Sequence, residues 1–295
     1  MSSPEQPILP PPFINIPSLP NLRDIGLLPI PHPSRTLRVR PSVLYRSADP
    51  SHVSSENLRK LHHDLGVTHI FDLRSAPEFA RAPDALATWE QRLAQFNEGT
   101  QPPRIQRLWT PVFREQNYDP ESLAVRYKAY GAEDGRRGFA IAYGQILDAG
   151  GEAYAQLLRH MIARGPEGGT LVHCTAGKDR TGVICAVLLS LVGVEEEAVC
   201  WEYALTEQGL GHMKEHFMTR LMASGAFEGF GGREAAERMV RSRAENMAGT
   251  LEMVRERWGG PEGYLKTVVG LSEGEIEALK SVLVEEVRDE GAVRL

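Results

Sequence analysis

The feature that most constrains how this chain can fold is the order of signals between Gly165 and Val192. Gly165-Pro166-Glu167-Gly168-Gly169 breaks the chain, Thr170-Leu171-Val172-His173 reads as a short strand, and Val183 to Val192 reads as a buried helix, being too short to cross a membrane. A polar, glycine-bearing loop joins them. On either side of this unit, from Asn21 onward, strand and helix signals alternate. Val43 to Arg46 is a short strand, and Ser51 to Leu65 a helix with Leu58, Leu61 and Leu65 on one face, closed by Gly66. Val67 to Leu73 is a β-branched run expected as a central strand, and another strand is expected near Ile105 to Trp109. Ser122 to Arg164 reads as largely helical, and amphipathic helices follow the Val183 to Val192 segment, separated by Gly229-Phe230-Gly231-Gly232 and Gly259-Gly260-Pro261. No internal repeat is visible. The pattern predicts an α/β fold: a central, mostly parallel sheet flanked by helices.

Seven of the 20 prolines fall in the first 20 residues, so residues 1–20 are expected as an extended, surface-draped arm and 21–295 as a single domain. At 295 residues with 42% hydrophobic residues, the chain can bury a substantial core. Lys and Arg number 33 against 39 Asp and Glu, a net charge of −6 that gives no general attraction to nucleic acid or anionic membrane. Any anionic substrate must therefore be held by a local constellation. No leader, lipid anchor or membrane-spanning segment is expected from the sequence. Three cysteines, Cys174, Cys185 and Cys200, are too few for a disulfide framework, which favours a reducing, cytoplasmic home.

Chemistry concentrates at His173-Cys174-Thr175-Ala176-Gly177-Lys178-Asp179-Arg180-Thr181-Gly182, between the strand and the helix. A Cys, five residues and an Arg in that setting can curl so that the N–H groups of Thr175 to Arg180 converge at the positive end of the helix. Such a nest binds a tetrahedral oxyanion. Gly177 permits the curl, and Arg180 can grip two oxygens with its planar fork. The same oriented dipoles favour the thiolate of Cys174, making it a nucleophile. Thr181 could donate its hydroxyl to that sulfur, and His173 is expected to orient the loop rather than act as a base.

These residues resemble the signature loop of cysteine-dependent phosphatases. Gly-Lys-Asp-Arg-Thr-Gly, with Asn21-Leu22-Arg23-Asp24, Tyr45-Arg46-Ser47-Ala48 and Asp72-Leu73-Arg74-Ser75, resembles more narrowly the atypical tyrosine/lipid phosphatase family of bacteria and fungi. The resemblance continues through Trp201-Glu202-Tyr203-Ala204-Leu205-Thr206 and Gly263-Tyr264-Leu265 to Gly270-Leu271-Ser272. It implies a protein-tyrosine-phosphatase-like domain, a phosphocysteine intermediate, no metal or other cofactor, and as substrate phosphotyrosine in proteins first, with dual specificity open, and phosphoinositides second.

Relatives carry an Asp in a Pro-Asp turn upstream as general acid, where this chain has Trp109-Thr110-Pro111-Val112. The replacement candidates are Asp179, Glu115 and Asp119, and Asp179 could equally be a salt-bridge partner of Lys178. Lys178 could instead accommodate a second substrate phosphate, as the resemblance to phosphoinositide phosphatases implies. Asp72 and Arg74, like Asp24 and Arg46, are expected to support the loop from behind. Cys185 and Cys200 read as small buried hydrophobes, and His62-His63 and His212/His216 as solvated helix faces. Rival readings are a rhodanese-like or arsenate-reducing loop, against which Arg180-Thr181-Gly182 running straight into an apolar helix argues, and a module that binds phosphorylated partners without turnover.

Overall fold

The computed structural model describes residues 6–80, 83–114 and 120–287. Its strands are β1 (Arg23–Asp24), β2 (Pro29–Ile30), β3 (Leu37–Val39), β4 (Leu44–Ser47), β5 (Val67–Asp72), β6 (Gln106–Trp109), β7 (Gly169–His173) and β8 (Val284–Glu286). Five of them form the main sheet in the order β1-β4-β7-β5-β6, and β2-β3-β8 form a small second sheet. In the main sheet β4, β7, β5 and β6 run parallel, while β1 pairs antiparallel with β4 at the edge. The mostly parallel α/β sheet expected from the alternating signals is therefore the architecture adopted. Ser47 and Asp72 both lie opposite His173, and Trp109 lies opposite Asp72. This row marks the carboxyl ends of the parallel strands, where α/β sheets place their ligands.

Side-chain alternation along the strands builds two cores. Leu44, Phe71 and Val172 face one, with Phe139, Leu147, Leu158 and Leu251 from helices Gly135–Ala149, Gly151–Arg164 and Ala244–Trp258. Tyr45, Ile70 and Leu171 face the other, with Leu58 and Leu61 of helix Ser55–His63 and Trp89, Leu93 and Phe96 of helix Pro83–Phe96. Each such apolar side chain contributes about 1.5–3 kcal/mol on burial. With both faces covered, the strands read as apolar runs, as Val67 to Leu73 does.

Several boundaries move. The first helix starts at Ser55 because the Ser54 side chain accepts from the Asn57 N–H, and Gly66 follows with φ +64°. The Ser122 to Arg164 stretch divides into Pro120–Tyr130, Gly135–Ala149 and Gly151–Arg164. The apolar helix begins at Asp179 rather than Val183, so Asp179 and Arg180 occupy its first turn. Part of the stretch expected as a draped arm is packed: Phe13, Ile16 and Leu19 are buried, Ile16 and Leu19 in the Tyr45 core. Asn57 Nδ2 ties that stretch down by donating to the Pro17 carbonyl. Among the described residues no helix is long and apolar enough to cross a membrane.

Candidate active site

The loop from Cys174 to Arg180 sits at the carboxyl end of β7, and its curl depends on Gly177. That residue has φ +63°, and a Cβ placed there would lie 2.0 Å from the Ser47 carbonyl oxygen. Only glycine accommodates both the left-handed backbone and the contact. Among the described residues, none of the N–H groups of Thr175, Ala176, Gly177 and Lys178 donates a hydrogen bond. These amides lie just before the first turn of helix Asp179–Leu191, whose dipole adds partial positive charge. Cys174 lies at 2% exposure at the start of this loop. A cysteine sulfur beside unspent amides and a helix N-terminus is a constellation able to take a tetrahedral oxyanion.

Beneath the loop lies a buried ion triad. Arg23 and Arg46 are fully buried, and Glu202 on helix Glu196–Ala204 accepts from Arg23 Nε at 2.7 Å and Arg46 Nη1 at 2.6 Å. Arg46 Nη2 donates on to the Gly177 carbonyl at 2.7 Å, and Asn21 Nδ2 donates to the Ala176 carbonyl at 3.1 Å. Carbonyls pointing backward into these donors leave the amides pointing the other way. Burial pushes the Glu202 carboxyl up, but the two guanidiniums outweigh it and hold it below the usual range. Arg46, expected to support the loop, thus does so through a carbonyl. Asp24 does not reach the loop and instead accepts from the Gly26 and Ser42 N–H groups.

Arg180 is gripped from the side by a residue that the sequence reading missed. Glu78, on the short helix Ala76–Ala80, accepts from Arg180 Nη1 at 2.5 Å and Nη2 at 2.8 Å, and from Thr175 Oγ1 at 2.5 Å. Burial raises the Glu78 carboxyl, yet Arg180 outweighs this and holds it well below its ordinary value. The available signal was the spacing Ser75-x-x-Glu78, a capping pattern that reads as purely local. Glu78 does accept from the Ser75 N–H and hydroxyl, and the same carboxylate also orients Arg180.

Asp72 and Arg74 form a second buried cluster at the ends of β5 and β7. Asp72 accepts from Arg74 Nε at 2.9 Å and Arg107 Nε at 3.0 Å, and Arg74 also pairs with Asp49. Burial raises the Asp72 carboxyl, but His173, Arg74 and Arg107 together hold it well below the carboxylate range. His173 Nδ1 donates to the Cys174 carbonyl at 3.0 Å, and burial keeps its imidazole below its ordinary value against the pull of Asp72. That bond orients the loop entrance. Thr181 is fully buried with its hydroxyl unpartnered among the described residues, so the expected bond to the Cys174 sulfur is not made.

Asp179 and Lys178 are adjacent and paired, with Nζ 3.3 Å from Asp179 Oδ1. Lys178 is nearly buried: Nζ donates to the Met239 and Arg241 carbonyls and lies 5.1 Å from the Phe139 ring centroid. The Asp179 carboxyl is 22% exposed, and Tyr143 Oη donates to its Oδ1 at 2.8 Å. Glu115 and Asp119, the other acid candidates, fall outside the described residues. Trp109 stays half exposed, its indole N–H donating to the Arg74 carbonyl at 2.6 Å. Cys185 and Cys200 are buried free thiols, and burial pushes them up to about 12 and about 11, as befits inert core residues. Among the described residues no group of three or more His, Cys, Asp or Glu gathers as a metal site.

A family model described as the tyrosine phosphatase family matches residues 14–285. The chain is similar to a tyrosine-protein phosphatase of Nostoc commune, 32% identical over 73% of this chain and 66% of that protein, just under two thirds of its length. It is also similar to the triple specificity protein phosphatase PtpB of Mycobacterium tuberculosis, 24% identical over 83% of this chain and 92% of that one.

Proposed function

This chain belongs to the tyrosine phosphatase family, and on that premise we propose that it hydrolyses phosphotyrosine in proteins through a phosphocysteine intermediate. Four unspent amides beside Cys174, with Arg180 held in place by Glu78, are the observation that carries this reading. The amides and Arg180 bind the three non-bridging phosphate oxygens and stabilise the charge spread over them in the transition state. Cys174 attacks phosphorus as the thiolate, forming the S–P bond while the bond to the tyrosyl oxygen breaks. Asp179 donates its proton to that departing oxygen. Its carboxylate then takes a proton from the water that attacks phosphocysteine, releasing inorganic phosphate and regenerating the thiolate. Thr181, buried with its hydroxyl unspent, can donate to the sulfur as it leaves phosphorus.

The position of Lys178 favours a protein over a phosphoinositide substrate. Its ammonium is turned to the Met239 and Arg241 carbonyls and to Oδ1 of Asp179 rather than standing ready for a second phosphate. A thiolate nucleophile requires a reducing compartment, consistent with three unpaired cysteines. The test is turnover of phenyl phosphate, a phosphotyrosine peptide and a phosphoinositide in EDTA and fresh reductant, with Cys174→Ser alongside. We expect the peptide to have the highest kcat/KM and the serine variant to be inactive. Activity retained in Cys174→Ser defeats the mechanism; absence of turnover by the wild type leaves a phosphate-binding module; a preference for the lipid reverses the substrate order.

A further inference from the structure

We propose that Tyr143 and Tyr203 form a one-way chain of hydroxyl groups that locks Oδ1 of Asp179 and thereby reserves Oδ2 for the proton that goes to the leaving group. The proposal rests on Asp179 being the acid and says how that acid is held. Tyr143, on helix Gly135–Ala149, donates to Asp179 Oδ1 at 2.8 Å, and its hydroxyl lies 2.7 Å from that of Tyr203 on helix Glu196–Ala204. A phenol has one proton. With Tyr143 committed to the carboxylate, Tyr203 must be the donor between the two tyrosines. Both hydroxyls point the same way, toward Asp179, and the Tyr203 donor strengthens the Tyr143 donor in a dry setting.

The setting is dry: Tyr143 and Tyr203 are fully shielded. Burial raises both phenols well above their ordinary value, so they stay protonated and remain donors. The other groups near the carboxyl are the Lys178 ammonium, the Tyr130 phenol and Arg180. Lys178 also approaches Oδ1, and among the described residues no hydrogen bond reaches Oδ2. Lys178 Nζ is itself anchored on the Met239 and Arg241 carbonyls, so the ammonium beside Oδ1 is tied to residues far along the chain from the signature loop.

The experiment is kcat/KM over a series of aryl phosphates, from dinitrophenyl to phenyl phosphate, with vanadate affinity measured as a control for an intact loop. Tyr143→Phe removes one oxygen and should cost roughly tenfold on phenyl phosphate but less than about twofold on dinitrophenyl phosphate, whose leaving group needs no proton. Tyr203→Phe should cost roughly threefold on the poor leaving group, while vanadate binding stays unchanged. A loss that is equal on all substrates, or one accompanied by weakened vanadate binding, makes Tyr143 a packing residue and overturns the chain. Asp179→Asn separates the two levels. If it shows no leaving-group dependence, the acid itself is misassigned; if it does and Tyr143→Phe does not, only the chain fails.

Discussion

Replacing Glu202 by Gln is the sharpest probe of how this fold pins its phosphate loop. The carboxylate is 5% exposed and is the anion shared by Arg23 and Arg46, both at 0%. Gln has the same shape but presents an NH2 group toward one guanidinium, so a donor faces a donor at a position now separated by 2.6 or 2.7 Å. The site passes from one net positive charge to two with no water to screen them. Removing one partner of a buried ion pair costs about 3–5 kcal/mol. Against a total stability of roughly 5–15 kcal/mol this is a severe loss. At about 2–4 °C per kcal/mol it lowers the melting temperature by roughly 6 to 20 °C. Because Arg46 also holds the Gly177 carbonyl, vanadate affinity should fall with it.

The pH dependence gives this prediction its sign. The folded-state Glu202 carboxyl is held below its ordinary value of 4.5, so its contribution is present at neutral pH and is lost as pH falls below that value. The gap between wild type and Glu202→Gln, read from urea unfolding at successive pH values, should therefore be widest near pH 7 and narrow on acidification. A gap that stays constant with pH, or a variant that melts with the wild type, would show that the triad is not an electrostatic staple.

Three further outcomes follow from the same geometry. Gly177→Ala must move a backbone contact of 2.0 Å out to van der Waals distance, so kcat/KM should drop about 100-fold or more while the protein still folds; full activity would refute the need for glycine. Glu78→Gln should loosen Arg180 and lower kcat/KM about 10–100-fold for all aryl phosphates alike, in contrast to the graded losses expected at Tyr143; a slope that depends on the leaving group would contradict this role. Burial, with His69 and Arg164 beside it, holds His160 down to about 4, so it favours the neutral ring in the folded state. Stability should decline as pH falls from about 6.5 toward 4, and urea midpoints of His160→Gln should decline less than wild type across that window.

Much of the site was legible because its chemistry is local. Cys174, Gly177 and Arg180 lie within one strand-loop-helix unit, and the curl of the loop follows from their spacing. The short motifs around Arg23, Arg46 and Glu202 were visible as strings, but not as one triad, because the three lie on two strands and a distant helix. Glu78 was hidden by its capping pattern, and Tyr143 and Tyr203 by being aromatic residues on apolar helices, where the core reading is the natural one. Lys178 was left between two roles until its ammonium was found turned away to the Met239 and Arg241 carbonyls.

By itself the sequence determined the class of fold and singled out the strand-loop-helix unit that carries Cys174 and Arg180, since hydrophobic period and short-range backbone geometry operate over a few neighbouring residues. Which carboxylate steadies Arg180, what Lys178 faces and how Asp179 is held were decided by the tertiary structure alone. Those facts depend on side chains brought together across more than 60 residues of chain in the case of Lys178 and Arg241, and about 100 in that of Glu78 and Arg180. Only packing of the helices against the sheet sets such distances, and burial makes each one consequential by leaving no water to substitute for a missing partner.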